Sequence, residues 1–212
     1  MNDWTRASGT RPTPANMILD LPNGVGAGQA PDPSFQALVR QAKSAGLTIL
    51  GYSSTVDGAR PMADVEADVR HYRDWYGVTH IFLDRVTGQS LQFAYYQRLS
   101  AYIHGLDGPS SVWMNPGTYP DEGYMSIGDV VMVFEGTYPQ YLALQVPAWV
   151  GRYSPARFAH TIYATPEADL ANALQLTHRR RAMHVYITDR TGANPYNALP
   201  GYWSREAAYG CG

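Results

Sequence analysis

Seven short apolar runs punctuate the chain: "NMILDL" (16–21), "LTILGY" (47–52), "HIFLD" (80–84), "SVWMN" (111–115), "VVMVFE" (130–135), "FAHTIY" (158–163) and "MHVYITD" (183–189). They are continuous rather than alternating, as strands buried on both faces of a parallel sheet are. Between them lie stretches with helical spacing. In "PSFQALVRQAKSAG", Phe35, Leu38, Val39, Ala42 and Ala45 share one face and Gly46 ends it. In "MADVEADVRHYRDWYG", Val65, Val69, Tyr72 and Tyr76 repeat the stripe, with Asp64 near its start and Gly77 at its end. "FAYYQRLSAYIHG" and "EADLANALQLTHRRR" follow the same pattern.

Strand–helix alternation of this kind predicts an α/β parallel architecture. No linker-like shift in composition divides the chain, so residues 15–212 read as one domain and the polar residues 1–14 as an N-terminal extension that wraps its base. An open doubly wound sheet and a (β/α) TIM-like barrel both fit seven strands. The strand ends favour the barrel: successive runs finish on or near Asp20, Tyr52, Asp84, Asn115, Glu135, Tyr163 and Asp189. In a barrel these C-terminal ends converge on one mouth, whereas an open sheet gathers only those near its switch point. With no clear strand before residue 15, the barrel is expected to be short of one strand on its N-terminal side.

Composition narrows the function by exclusion. The chain has 212 residues, a net charge of −2 and 16% charged residues, which gives no basic footprint for nucleic acid. Its local exception, "HRRRAMH" (178–184), reads as the cationic end of a helix. No apolar run approaches the roughly 18 residues of a membrane span. "MNDWTRASGTRPTPAN" carries no apolar signal core, so no classical export is expected from this N-terminus. The lone cysteine, Cys211, excludes an intrachain disulfide and a cysteine-based metal cluster.

Most motif-like stretches carry no chemistry. "PNGVGAG" (22–28) lacks the dinucleotide register and the P-loop Lys-Ser/Thr, and reads as a turn roofing the mouth. The six histidines have no metal-ligand spacing, and Ser53–Ser54 form no nucleophile elbow. No metal and no cofactor is expected. Carboxylates remain. Asp84 and Glu135 end strongly apolar runs, where an ionised acid is costly unless partnered. Two acids across a pocket can divide nucleophile from proton donor, the minimum for glycoside hydrolysis. Tyr52, Trp113, Tyr119, Tyr138 and Tyr141 are expected near the same rim, as flat faces on which sugar rings stack or as core packing.

Several blocks in order resemble the spherulin-4-like proteins, which include glycoside hydrolases of family 135. They are "ILDLPNGVG" (18–26), "AGLTILGYSSTVDGAR" (45–60), "VEADVRHYRDWYGVTHIFLDR" (65–85), "NPGT" (115–118), "VVMVFEGTY" (130–138) and "VYITDRTGANPYNALPGYW" (185–203). The resemblance implies a (β/α) barrel acting outside the cell or at its surface. Its substrate would be an α-1,4-linked galactosamine-containing polysaccharide of the galactosaminogalactan kind. It further implies Asp84 as nucleophile and Glu135 as acid/base of a retaining mechanism. Asp20, Tyr52, Arg85, Asn115, Tyr138 and Asp189 would hold the sugar. Two departures stand out: Arg85 replaces a family glutamate, and Asp20 replaces a family asparagine. Arg85 is expected to pair with Asp84 and hold it ionised, or else to mark a barrel that binds sugar in a virion or cell-surface assembly without cutting it. A barrel acting on a phosphorylated small molecule would need a phosphate loop after the last strands, which the sequence lacks.

Overall fold

The computed structural model of the protein describes residues 3–22, 24–26 and 30–209. The strands are β1 (Asn16–Leu19), β2 (Thr48–Ser54), β3 (His80–Asp84), β4 (Ser111–Met114), β5 (Val130–Thr137), β6 (Phe158–Tyr163) and β7 (His184–Ile187). All pair in parallel, and the sheet order is the chain order from β1 to β7. Among the described residues no strand order reverses, so the sheet has no doubly wound switch point there. The sheet curls instead: Trp113 of β4 meets His184 of β7 with ring centroids 4.6 Å apart, although two strands separate them along the sheet.

Each face of the sheet has its own core. Leu50, Phe82, Trp113, Val130, Met132 and Ala159 point inward and fill the barrel. Ile49, Ile81, Leu83, Val112 and Met114 point outward, under a layer that includes Val39, Val69, Tyr72, Leu99 and Ile103. Those residues belong to helices α2 (Pro33–Ser44), α3 (Met62–Tyr76) and α4 (Phe93–His104). Gly51 is required here. A Cβ at this position would stand 2.5 Å from the Tyr72 ring, whose hydroxyl donates to Leu19 O at 2.9 Å. Helix α6 (Leu170–Arg179) covers β6 and β7, while β5 is followed by the five-residue α5 (Tyr138–Leu142) and two 3-10 turns, Ala148–Arg152 and Pro155–Arg157.

The barrel is unclosed between β1 and β7, and side chains span the seam. His184 Nε2–H donates to Ala156 O at 3.1 Å, which leaves Nδ1 to accept from Asn16 Nδ2 at 3.3 Å. The N-terminal residues form helix α1 (Asp3–Gly9) and lie along this seam: Asp3 accepts from Leu199 N–H at 2.9 Å, and Thr10 Oγ1 accepts from Trp203 Nε1–H at 2.8 Å. Cys211 and part of the Gly-rich 22–28 stretch fall outside the described residues.

Helix α7 (Trp203–Tyr209) protects the edge of β7, because Glu206 Oε1 accepts from Ile187 N–H at 2.6 Å. Glu206 is only 8% exposed, and its Oε2 has no partner. Burial raises its pKa to about 8, against the pull of the Ile187 N–H, which lowers it. The folded state therefore holds a proton here that the unfolded chain releases near pH 4.5. Stability from this group is full below that pH and is lost as pH rises through about 8. Glu206→Gln keeps the acceptor and removes the titration. Its stability relative to wild type is expected to improve between pH 5 and pH 8.5 by on the order of 3 kcal/mol, since each pKa unit is worth about 1.4 kcal/mol. Urea melts at the two pH values measure this; a difference that does not change with pH would refute it.

Candidate active site

Four neighbouring strand ends deliver the site. Tyr52 comes from β2, Asp84 closes β3, Asn115 follows β4 directly, and Glu135 lies near the end of β5. Inward-facing positions alternate along β2, β3 and β4, so Tyr52 lies above Leu50, Asp84 above Phe82 and Asn115 above Trp113. On β5 alternation alone fails. Counting by twos from Val130 and Met132 would turn Phe134 inward and Glu135 out. The pairing with β6 shifts between Met132 and Phe134. Val133 and Phe134 both pack outward, in separate clusters, and Glu135 turns into the mouth. The extra residue is a β-bulge that re-aims a side chain at a site.

Asn115 joins the two acids. Its Nδ2 donates to Asp84 Oδ1 at 2.8 Å and to Glu135 Oε2 at 2.6 Å. Its Oδ1 accepts from Gly117 N–H at 2.9 Å, so the amide is held with its donors toward the carboxylates. Gly117 accepts from Glu135 N–H at 3.0 Å, which docks the loop against β5. A φ of +67° makes this turn a place for glycine. The two bonds laid end to end keep the bridged oxygens within about 5.4 Å of each other.

Each acid has a tyrosine as second partner. Tyr52 Oη donates to Asp84 Oδ2 at 2.7 Å, and Tyr196 Oη donates to Glu135 Oε1 at 2.7 Å. Burial raises the Tyr52 hydroxyl far above an ordinary phenol, and the hydrogen bond and charge of Asp84 add to it. Tyr196 is raised likewise, by burial and then by the charge and hydrogen bond of Glu135. Both therefore keep their protons and act as donors. Asp20, just past β1, is raised by partial burial and then by the Asp84 charge, which sets a third carboxyl in the field of the pair.

Other expected contributors are placed elsewhere. Arg85 does not pair with Asp84. Its backbone turns left-handed (φ 50°), and its guanidinium donates to Asp57 Oδ2 at 3.0 Å, with both side chains more than half exposed. Thr55 and Asp57 clamp this turn, their N–H groups donating to Asp84 O and Arg85 O at 2.9 and 2.8 Å. Tyr138 is also not at the mouth. It is buried with Phe134 and Tyr141, its hydroxyl accepting from Asn172 at 2.7 Å, because the Thr137–Gln140 capping box turns the chain into α5 there. Asp189 accepts from Gly201 N–H at 3.2 and 3.3 Å and holds a loop, with no bond to the acid pair. Trp113 lies in the barrel interior, Tyr119 against Trp149, and the fully buried Tyr141 against His160.

Tyr196 is the site residue that sequence reasoning missed. It lies in the long loop after β7, between Asn194 and Pro200, with no periodicity to mark it. The rings of Tyr163 and Tyr186 meet it at 6.4 and 6.2 Å. The aromatic residues beside the acids are thus this trio and the expected Tyr52, while Trp113, Tyr119, Tyr138 and Tyr141 stand elsewhere.

The fold and site together define an α/β parallel barrel with a bridged carboxylate pair over its strand ends. The chain belongs to the spherulation-specific family 4, whose family model matches residues 3–209. Spherulin-4 of Physarum polycephalum is 29% identical over 218 residues, covering 97% of this chain. The chain spans 65% of that relative's length. Among solved structures, Aspergillus clavatus Sph3 in complex with GalNAc superposes with a TM-score of 0.85 at 23% identity, over 99% of this chain and 92% of that one. The glycoside hydrolase domain of PelA from Pseudomonas aeruginosa superposes at 0.52 with 17% identity, over 87% and 96%. Among the described residues no helix is long and apolar enough to cross a membrane.

Proposed function

We propose that the protein is a glycoside hydrolase that cleaves an α-1,4-linked galactosamine- or N-acetylgalactosamine-containing polysaccharide, with Asp84 as nucleophile and Glu135 as acid/base. The observation that carries this reading is the Asn115 amide donating to both carboxylates at once. It fixes two acids side by side at the strand ends, above the packed barrel interior. At most about 5.4 Å separates the two bridged oxygens, a close approach that supports the narrower spacing of retaining pairs over the wider one of inverting pairs. Glu135 would give its proton to the glycosidic oxygen as the bond from C1 breaks and an Asp84 oxygen bonds to C1. Water would then attack C1, returning a proton to Glu135 and releasing Asp84.

The substrate class rests on two supports. Sph3, of the same fold, was solved with GalNAc. Asp20 near Asp84 gathers negative charge where a deacetylated amino sugar would present an ammonium group. Arg85 donates to Asp57 rather than to either acid, so it does not neutralise the pair.

Incubation with a partly deacetylated α-1,4-galactosamine polymer is expected to release new reducing ends, the first-formed product keeping the α configuration by NMR. Binding without release would point to a carbohydrate-binding barrel. A β product would replace the nucleophile with a base.

A further inference from the structure

The two partners of Glu135 differ in kind. Asn115 Nδ2 can only donate, and Gly117 N–H on Oδ1 holds its amide in place, so Oε2 faces a donor at every stage. Oε1 faces the Tyr196 hydroxyl at 2.7 Å, a group that can both donate and accept. We infer that Tyr196 is a positioning residue for the acid/base: it keeps the transferable proton of Glu135 on Oε1, accepting from the carboxylic acid and donating to the carboxylate once that proton has left. The inference rests on the hydrolase reading above.

The proton balance is simple. In the first step the proton passes from Oε1 to the glycosidic oxygen, which keeps the electron pair of the broken C1–O bond, and the Tyr196 O–H turns toward the bare Oε1. In the second, the attacking water returns a proton to Oε1 and Tyr196 turns back to accept. Tyr196 never surrenders its own proton, as its strongly raised hydroxyl requires.

The loop is fastened as such a role demands. Tyr196 N–H donates to Asn194 Oδ1 at 3.0 Å, and Arg190 Nη2–H donates to Leu199 O at 3.1 Å. Asp189 holds Gly201 N–H, and Asp3 of α1 holds Leu199 N–H. Tyr196 is still 39% exposed, so a sugar can reach the same carboxylate edge. Asp189 thus acts through this loop, a role its place at a strand end did not reveal.

Tyr196→Phe keeps the ring between Tyr163 and Tyr186 and removes the hydroxyl alone. Polymer turnover is expected to fall about 10- to 100-fold, a share of the 10²- to 10⁴-fold that acid–base catalysis supplies, with KM moving less than about threefold. The discriminating substrate is a dinitrophenyl glycoside of the same oligosaccharide, whose leaving group needs no proton. Its burst of dinitrophenolate should fall less than about twofold in the variant. Equal losses on both substrates would mean that the hydroxyl serves structure or binding, and unchanged polymer turnover would mean that it serves neither; either overturns the inference. A wild type that cuts neither substrate overturns the hydrolase reading and this inference with it, and is told apart by the wild-type arm alone.

Discussion

Glu135→Gln is expected to lower polymer hydrolysis by about 10³-fold, within the range that general acid–base groups supply. The substitution keeps the acceptor facing Asn115 Nδ2 and the bulge that aims the side chain. What it removes is the proton, so folding and sugar binding should be preserved while leaving-group protonation is lost. The loss should depend on the substrate. A dinitrophenyl glycoside should still show a burst, then stall, because the amide cannot deprotonate the water that frees Asp84. Reducing-end assays and stopped-flow bursts on the two substrates measure this. Comparable turnover of polymer by the variant would remove Glu135 from the acid/base role.

Asn115→Asp is expected to abolish hydrolysis, by 10²-fold or more, and to destabilise the fold in a pH-dependent way. Asn115 is 6% exposed, and its amide nitrogen stands 2.8 and 2.6 Å from oxygens of Asp84 and Glu135. A carboxyl in its place offers acceptors where two donors stood, among acids that cannot all ionise together. The group that takes up the extra proton has its pKa raised in the folded state. The stability linked to it is present at low pH and is lost as pH rises. The melting temperature of the variant should therefore lie below that of wild type at pH 7 and approach it toward pH 4. A uniform offset across that range would show that Asn115 fills space rather than bridging charges. Asn115→Ala serves as control: it loses the bridge but adds no charge, so its melting difference from wild type should vary less with pH.

Much of the scaffold was legible because burial on both faces writes itself into the chain as runs of Val, Ile, Leu and Met. The runs 80–84 and 158–163 coincide with β3 and β6, and the stripes of Val65, Val69, Tyr72 and Tyr76 became buried positions of α3. Tyr52, Asp84 and Asn115 could be placed in the mouth from their positions at strand ends. Glu135 could too, though the sequence does not show that a bulge must intervene to turn it inward. Tyr138 and Arg85, expected to hold sugar, each stand one residue past a strand, where a capping box and a left-handed turn redirect the side chain. Tyr196 stands 61 residues from Glu135, and nothing local couples the two.

The sequence by itself thus determined the parallel strand–helix alternation, the barrel class and the set of strand-end residues, since periodicity and burial are properties of short segments. Tertiary structure alone decided which of those residues meet. The pairing of Asn115 with two acids, the bulge at Met132–Phe134, the escape of Arg85 to Asp57 and the arrival of Tyr196 all depend on register and loop path. Those are fixed by contacts between segments far apart in the chain, which no local pattern encodes.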